Sequence, residues 1–134
     1  MGPVNWLAVI LAANFAVAIG IVWHGVLFGT GKPLLSGTDA EGRRPPQNYL
    51  VSLAVWLLAA GMLGHSLARI GPEKLAAKPW LYWMQSGGLA IAFVVPALWL
   101  AYRRMGADRR FIAVDCAYWL VGYLAMGTVF WALR

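Results

Sequence analysis

The sequence predicts an all-α integral membrane protein, a four-helix bundle with antiparallel up-down topology. Three long segments, 4–28, 49–67 and 79–102, contain no Asp, Glu, Lys or Arg, and a fourth, 111–133, contains only Asp115. A run of ~20 apolar residues rising ~1.5 Å per residue crosses the ~30 Å hydrocarbon core of a bilayer. Because no water reaches this core, the backbone groups of each segment must pair internally, which predicts a helix for each.

The four predicted helices form one transmembrane domain that covers 1–134. Their expected bounds are about 4–28, 48–70, 79–103 and 111–133. Links of about ten residues join the second helix to the third and the third to the fourth, and links this short force neighbouring helices to run antiparallel. Loop 1, the link at 29–47, is longer and rich in Gly, Pro and charged residues, so we expect an irregular surface segment there.

The net charge of +6 fits a protein whose loops contact anionic lipid headgroups, and it predicts the bilayer rather than nucleic acid as the partner. The basic residues are distributed unequally between the two membrane faces. Loop 1 and loop 3 (104–110), with their flanks, carry seven: Lys32, Arg43, Arg44, Arg103, Arg104, Arg109 and Arg110. The opposite face carries four: Arg69, Lys74, Lys78 and Arg134. By the positive-inside rule, we expect loops 1 and 3 in the cytoplasm and both termini outside.

Small residues recur on each predicted helix at spacings that place them on one face. Such faces let helix backbones approach closely in a membrane, so we expect a tightly packed bundle. The predicted packing positions are Ala8, Ala12, Ala16 and Gly20, Ala60 and Gly64, Gly88 and Ala92, and Gly122. Pro96 lacks an N–H group and is expected to kink the third helix by freeing the carbonyl of Ala92.

Polar residues inside the spans are the first candidates for function, because placing them in a bilayer costs free energy. They are Asn14, His24, His65, Gln85 and Asp115. His24 and Asp115 each lie ~6 Å inside the face formed by loops 1 and 3, so we expect one polar layer there. As a functional pair they would accept a proton or bind a ligand. As structural residues, Asp115 would cap its helix or pair with an arginine near loop 3, and His24 would bond a backbone carbonyl.

His65 and Gln85 share a depth of ~8–9 Å from the opposite face. We expect His65 to hydrogen bond to Gln85 or Ser86 and so join the second helix to the third. His24 lies ~15–20 Å from His65 along the membrane normal, so the two histidines of one chain cannot ligate a single haem iron. No cluster of His, Cys and carboxylate has metal-ligand spacing, and the sequence therefore predicts no catalytic, cofactor-binding or metal-ligating residues.

Four short motifs resemble one known family: NWLA at 5–8, WHGVLFG at 23–29, DCAYWLV at 115–121 and MG at 126–127. They resemble Domain of Unknown Function 1761, a family of small bacterial four-span membrane proteins. Such proteins usually have Trp-Tyr, a small residue and Pro at 23–26, and Asn at position 115, so His24 and Asp115 depart from the family pattern. The resemblance implies four transmembrane helices in a bacterial cytoplasmic (inner) membrane and implies no reaction.

Three functions remain open. The first is a non-enzymatic accessory subunit or oligomeric scaffold that works through helix packing, with a second copy or a larger membrane complex as its partner and no cofactor. The second is a small transporter or channel for a proton-coupled or lipophilic solute that uses the His24–Asp115 layer, although the lack of an acidic residue at the centre of a span weighs against proton-coupled export. The third is a membrane enzyme for lipophilic substrates, which is disfavoured because the spans hold no set of Arg, Asn and Glu residues comparable to the one on which such four-helix enzymes rely. The small-residue faces and the deep Trp56 and Trp119 favour the first.

Overall fold

The computed structural model of the chain describes residues 3–28 and 46–134. The predicted loop 1, with Lys32, Arg43 and Arg44, lies outside the described residues except for its last two positions. Every regular element in the described part is a helix, which confirms the all-α class. Four helical segments are long and apolar enough to cross a membrane: Trp6–Leu27, Tyr49–Ile70, Leu81–Arg104 and Arg109–Ala132.

The described part of the chain contains six α-helices and two π-helical turns. In chain order they are α1 (Trp6–Val22), the π turn Trp23–Leu27, α2 (Pro46–Ile70), α3 (Pro72–Ala77), α4 (Leu81–Leu89), the π turn Ala90–Val94, α5 (Val95–Arg104) and α6 (Arg109–Ala132). The third span therefore comprises α4, a π turn and α5. The short α3 is absent from the sequence prediction. It begins because Gly71 turns the chain with a φ of 90° and Pro72 has the fixed φ that suits a first helical position.

Side chains determine where α1 and α6 begin. Asn5 Oδ1 accepts a hydrogen bond from the Ala8 N–H at 3.0 Å, and Asn5 Nδ2 donates to the carbonyl of Leu133 at 2.8 Å. Asp108 caps α6 in the same way by accepting from the Arg110 N–H at 3.0 Å. The second Asn5 bond holds the start of α1 beside the end of α6.

The first helix packs against α2 and α6 through its smallest residues. The predicted packing positions on these two helices are all buried: Ala8, Ala12, Ala16 and Gly20 on α1, with Ala60 and Gly64 on α2. A Cβ at Gly64 would lie 3.1 Å from a methyl group of Val9, so this glycine permits the close approach of α1. Asn5 contacts Leu133 at one end of α6, whereas His24 contacts Asp115 near the other end. The first helix and α6 therefore run in opposite directions.

One tryptophan fills the space between α2 and α6. Trp56 is fully buried, and its indole stacks on Trp119 with ring centroids 4.6 Å apart. Its Nε1 donates to the hydroxyl of Tyr118 at 2.9 Å, and that hydroxyl donates to the carbonyl of Ala16 at 3.4 Å. Gly122 leaves room for the indole, because a Cβ there would lie 2.6 Å from Trp56 Cη2. The helices α1, α2 and α6 are thus joined at one level.

The third span packs on α6 through a different face from the predicted one. Its buried residues are Tyr82, Ser86, Gly87 and Ala90. Gly88 and Ala92 are exposed, and no heavy atom lies within 4 Å of a Cβ built at Gly88. Gly87 lies against Leu124 of α6, and Gly88, one residue later, is rotated ~100° away from that contact. The predicted packing role of Gly88 and Ala92 is therefore wrong.

The π turn Ala90–Val94 interrupts the third span just before Pro96. The N–H of Val95 bonds to the carbonyl of Ala90, five residues back, as in a π-helix. Pro96 has no N–H with which to reach the carbonyl of Ala92. The α-helical pattern is consequently broken here, and α5 starts with Pro96 in its first turn.

We expect Gly127→Ala to lower the free energy of unfolding by ~1–3 kcal/mol through overpacking. A Cβ there would lie 2.9 Å from the carbonyl oxygen of Tyr82 and nearer still to Ser86 Oγ, so backbone atoms would have to move. Gly88→Ala is the matched control, because its added Cβ meets open space, and it is expected to leave stability unchanged or slightly higher. Thermal unfolding in detergent measures both variants, and equal effects would contradict this packing.

Candidate functional site

The last turn of the first span presents His24 toward α6. This turn, Trp23–Leu27, is π-helical, a conformation that shifts side chains off the α-helical phase and is frequent at functional sites. Trp23 ties the turn to α6 by donating its indole N–H to the carbonyl of Val114 at 3.1 Å. With the turn held there, His24 Nε2 lies 3.4 Å from Oδ1 of Asp115.

Asp115 is a buried carboxylate that is joined to two other spans. It is 7% exposed, and while Oδ1 faces His24, Oδ2 accepts a hydrogen bond from the Tyr102 hydroxyl at 2.7 Å. The ring of Tyr102 is itself held edge-on against Phe111, with centroids 5.4 Å apart. Asp108 is the N-cap of α6, so Asp115 does not cap the helix. Its ion-pair partner among the described residues is His24 rather than an arginine near loop 3.

Tyr118 connects this pair to the centre of the bundle. Its ring lies edge-on to the His24 imidazole, with centroids 4.9 Å apart, and its hydroxyl is the acceptor for Trp56. Gly20 makes room for it, because a Cβ there would lie 2.6 Å from the hydroxyl oxygen. Tyr118 is not among the predicted site residues. The sequence does contain an indication of its role: Tyr118 follows Asp115 by three residues, a spacing that places both side chains on one face of α6.

A cavity of about 250 Å³ lies beside the His24–Asp115 pair. Side chains of all four spans meet there. Its lining consists of Val17, Gly20, Ile21, His24, Tyr49, Ser52, Tyr102, Asp115, Tyr118 and Trp119. Tyr49 and Tyr102 also escaped the sequence prediction, because a tyrosine at the end of a span is typical of an interfacial anchor. The arrangement places one carboxylate and one imidazole in a small chamber with aromatic walls.

The other predicted polar residues do not join this site. Asn14 is exposed on α1, and His65 is exposed on α2 with its ring edge-on to Trp6 at 5.8 Å. Gln85 Nε2 donates to Ser66 Oγ at 2.7 Å, so the partner of Gln85 on α2 is Ser66 and not the predicted His65. Adjacent residues of a helix point ~100° apart, which directs His65 away from the third span.

A larger cavity of about 600 Å³ lies at the opposite end of the bundle, against α3. Its lining is mostly apolar, and the polar side chains there are those of Asn5, Tyr82 and Arg134. These residues form no acid–base pair, whereas the cavity of about 250 Å³ is lined by both His24 and Asp115. Among the described residues, no group of three or more His, Cys, Asp or Glu could hold a metal ion.

A family model described as a protein of unknown function (DUF1761) matches residues 7–131 of the chain. No curated protein and no solved structure matches the chain. Neither a reaction nor a ligand comes with the family.

Tyr118→Phe is expected to lower the free energy of unfolding by about 1–2 kcal/mol, because the buried Trp56 N–H loses its acceptor. Tyr49→Phe is the matched control: Tyr49 is exposed, and its variant is expected to stay within ~0.5 kcal/mol of the wild type. Unfolding of both in detergent is followed by circular dichroism. If Tyr118→Phe is as stable as Tyr49→Phe, the Trp56–Tyr118 bond makes no net contribution.

Proposed function

Because the chain belongs to a family of proteins of unknown function (DUF1761), we propose its function from its own cavity. The protein is proposed to be a multi-pass membrane protein that binds a small organic cation beside Asp115 and releases a proton from His24 in exchange. One observation carries this proposal: Asp115 lies 3.4 Å from His24 and 2.7 Å from the Tyr102 hydroxyl, at the wall of a cavity of about 250 Å³. Such binding is the central step of a proton-coupled transporter.

The charge of Asp115 supports a cationic ligand. Asp115 is the only acidic residue within the four spans. A carboxylate at membrane depth requires a positive partner, because an isolated charge in hydrocarbon is costly. Protonated His24 is one such partner and a solute cation is another. A carboxylate has about four lone-pair sites, so it can contact a ligand while it still accepts the hydrogen bond of Tyr102.

The walls of the cavity support the same ligand class. Aromatic rings of Tyr49, Tyr102, Tyr118 and Trp119 line it, and the faces of such rings attract cations. A cavity of about 250 Å³ is below the ~300–1,000 Å³ of pockets for drug-sized ligands. The proposed solute is accordingly a small amine or quaternary ammonium ion rather than a lipid or a large drug.

Exchange with a proton follows from the charges that meet in the cavity. The titratable groups facing it are His24 from the first span, Tyr49 from the second, Tyr102 from the third, and Asp115 and Tyr118 from the fourth. When His24 is protonated, the His24–Asp115 pair is neutral and has no net attraction for a cation. When His24 is neutral, the charge of Asp115 is available to the solute. The proposal needs no catalytic step.

The accessory or scaffold role is a second candidate, favoured by one specific observation. Asn14 is an amide side chain exposed on α1 (Trp6–Val22), whose other residues are apolar. Polar residues at such depth usually face another protein surface rather than lipid. This role is compatible with a solute site, because Asn14 is not part of the cavity lining.

Tetramethylammonium is a suitable probe of the cation site, and tert-butanol is an uncharged probe of similar shape. We expect calorimetry on the full chain in nanodiscs to detect binding of the cation and little binding of the alcohol. Asp115→Asn is expected to weaken cation binding by about tenfold or more, because the attracting charge is removed. Asp108→Asn is the matched control, since it also removes a carboxylate from the start of α6 while Asn caps a helix as well as Asp does.

The number of protons released on binding is measured by repeating these calorimetric titrations in buffers with different enthalpies of ionisation. The observed heat then changes with the buffer in proportion to the protons released. We expect proton release on binding and an apparent Kd that rises as the pH falls, by up to about tenfold per pH unit. His24→Gln is expected to retain binding and lose both effects. Undiminished binding by a folded Asp115→Asn variant would refute the cation site, whereas pH-independent binding by the wild type would refute only the exchange.

We also propose that the cavity end of the bundle faces the cytoplasm, in the cytoplasmic membrane of a bacterium. The support is the distribution of basic residues, seven around loops 1 and 3 against four on the opposite face. In spheroplasts that express Cys116→Ser variants, an impermeant maleimide is expected to label Ala77→Cys on α3. Met105→Cys, beside loop 3, is expected to react only after lysis. Both positions are exposed, and the reverse labelling pattern would overturn this orientation.

A further inference from the structure

Asn14 lies on the outer surface of the bundle near the middle of the first span. It is eight residues after Trp6 and thirteen before Leu27, the two ends of the span, which places it ~12 Å from one end and ~20 Å from the other. Its Nδ2 donates to the carbonyl of Ile10 at 2.8 Å. An amide side chain has two N–H donors and a carbonyl acceptor, so Asn14 retains hydrogen-bonding capacity that hydrocarbon cannot satisfy.

The exposed residues around Asn14 follow a heptad pattern. The exposed face of α1 is broader than one stripe, since Ile10, Phe15 and Val22 are exposed as well, but the stripe through Asn14 consists of Leu7, Leu11, Asn14, Ala18 and Ile21, separated by four, three, four and three positions. We call these five residues the α1 seam. Leu7, Leu11 and Ile21 are 61%, 44% and 51% exposed. Alternating spacings of three and four keep these side chains on one stripe of the helix, the geometry that a left-handed crossing with a second helix uses.

We infer that the α1 seam is the interface of a parallel homodimer, in which the Asn14 side chains of two copies hydrogen bond to each other. An amide is self-complementary, because its N–H group can donate to the carbonyl of an identical amide. A second copy inserted with the same orientation presents its own Asn14 at the same depth. Lipid tails have no hydrogen-bond donor or acceptor at the depth of Asn14, and a different protein would need a matching polar residue at that same depth. One polar residue within an apolar heptad is also a known means of fixing register and oligomeric state.

The rest of the bundle leaves this interface accessible. The small residues that pack α1 against its own bundle are on the opposite side of the helix, at positions such as Ala12 and Ala16. Ala18 lies one turn beyond Asn14, and a small residue there lets the two backbones approach. Ile21 also lines the His24–Asp115 cavity, but Asn14 and Ala18, on which the inference rests, do not, so the inference does not depend on solute binding.

Cysteine crosslinking of the full chain in lipid vesicles tests the interface. In a Cys116→Ser background, Ala18→Cys is expected to give a disulfide-linked dimer on mild oxidation. Leu58→Cys, exposed on α2 well inside the second span, is the matched control and is expected to stay monomeric. Equal crosslinking of the two variants, or none for Ala18→Cys, overturns the proposal. So does a crosslink from Ala18→Cys to a different protein when the oxidation is done in native membranes.

A second variant separates the Asn14 bond from simple apolar contact. Energy transfer between labelled copies in vesicles gives the dimer dissociation constant, and Asn14→Leu is expected to raise it about tenfold. Asn14→Gln keeps the amide and is expected to restore most of the association. A dimer that is unaffected by Asn14→Leu would overturn the role of the amide, and circular dichroism with thermal unfolding of the same variant shows that the fold is intact.

Discussion

The hydrogen bond from Trp56 to Tyr118 is the interaction on which the rest of the bundle depends. Lipid tails are as apolar as the helix surfaces, so apolar burial alone does little to hold membrane helices together. Close packing and polar contacts have to do so. The Trp56 indole lies between α2 and α6, and the Tyr118 hydroxyl both accepts its N–H and donates to the carbonyl of Ala16. Three helices are therefore fixed relative to one another by one tyrosine hydroxyl, with Gly122 and Gly20 giving the two rings their space.

The same tyrosine links the packing of the bundle to the chemistry of its cavity. The Tyr118 ring is in contact with the His24 imidazole, and Asp115 is one turn earlier on α6. Trp23 anchors the π turn that carries His24 to the backbone of α6. The polar pair is consequently held by contacts with the aromatic core of the described residues, and such a fixed geometry suits the proposed exchange of a small cation for a proton.

Hydropathy was sufficient to predict the class of fold and the four spans, because the cost of exposing backbone groups to lipid leaves few alternatives. Depth along a helix is also readable, and it placed His24 and Asp115 at one level. Rotation about a helix axis is harder to predict. Gly87 and Gly88 are adjacent and chemically identical, and the choice between them is made by Leu124 on another helix. Tyr102 lies beyond the π turn Ala90–Val94, whose extra residue shifts the phase of everything after it.

The depth of Asp115 has an electrical consequence. Asp115 is six residues after Arg109, the first residue of α6, so its carboxylate lies ~6–9 Å inside the membrane boundary, or about a quarter of the ~30 Å hydrocarbon core. Moving one elementary charge across the whole membrane changes its free energy by ~2.3 kcal/mol per 100 mV. Moving it across a quarter of the membrane changes its free energy by ~0.6 kcal/mol per 100 mV. A charge that reaches Asp115 from the loop 3 end is therefore sensitive to the membrane potential, by about threefold in occupancy per 100 mV.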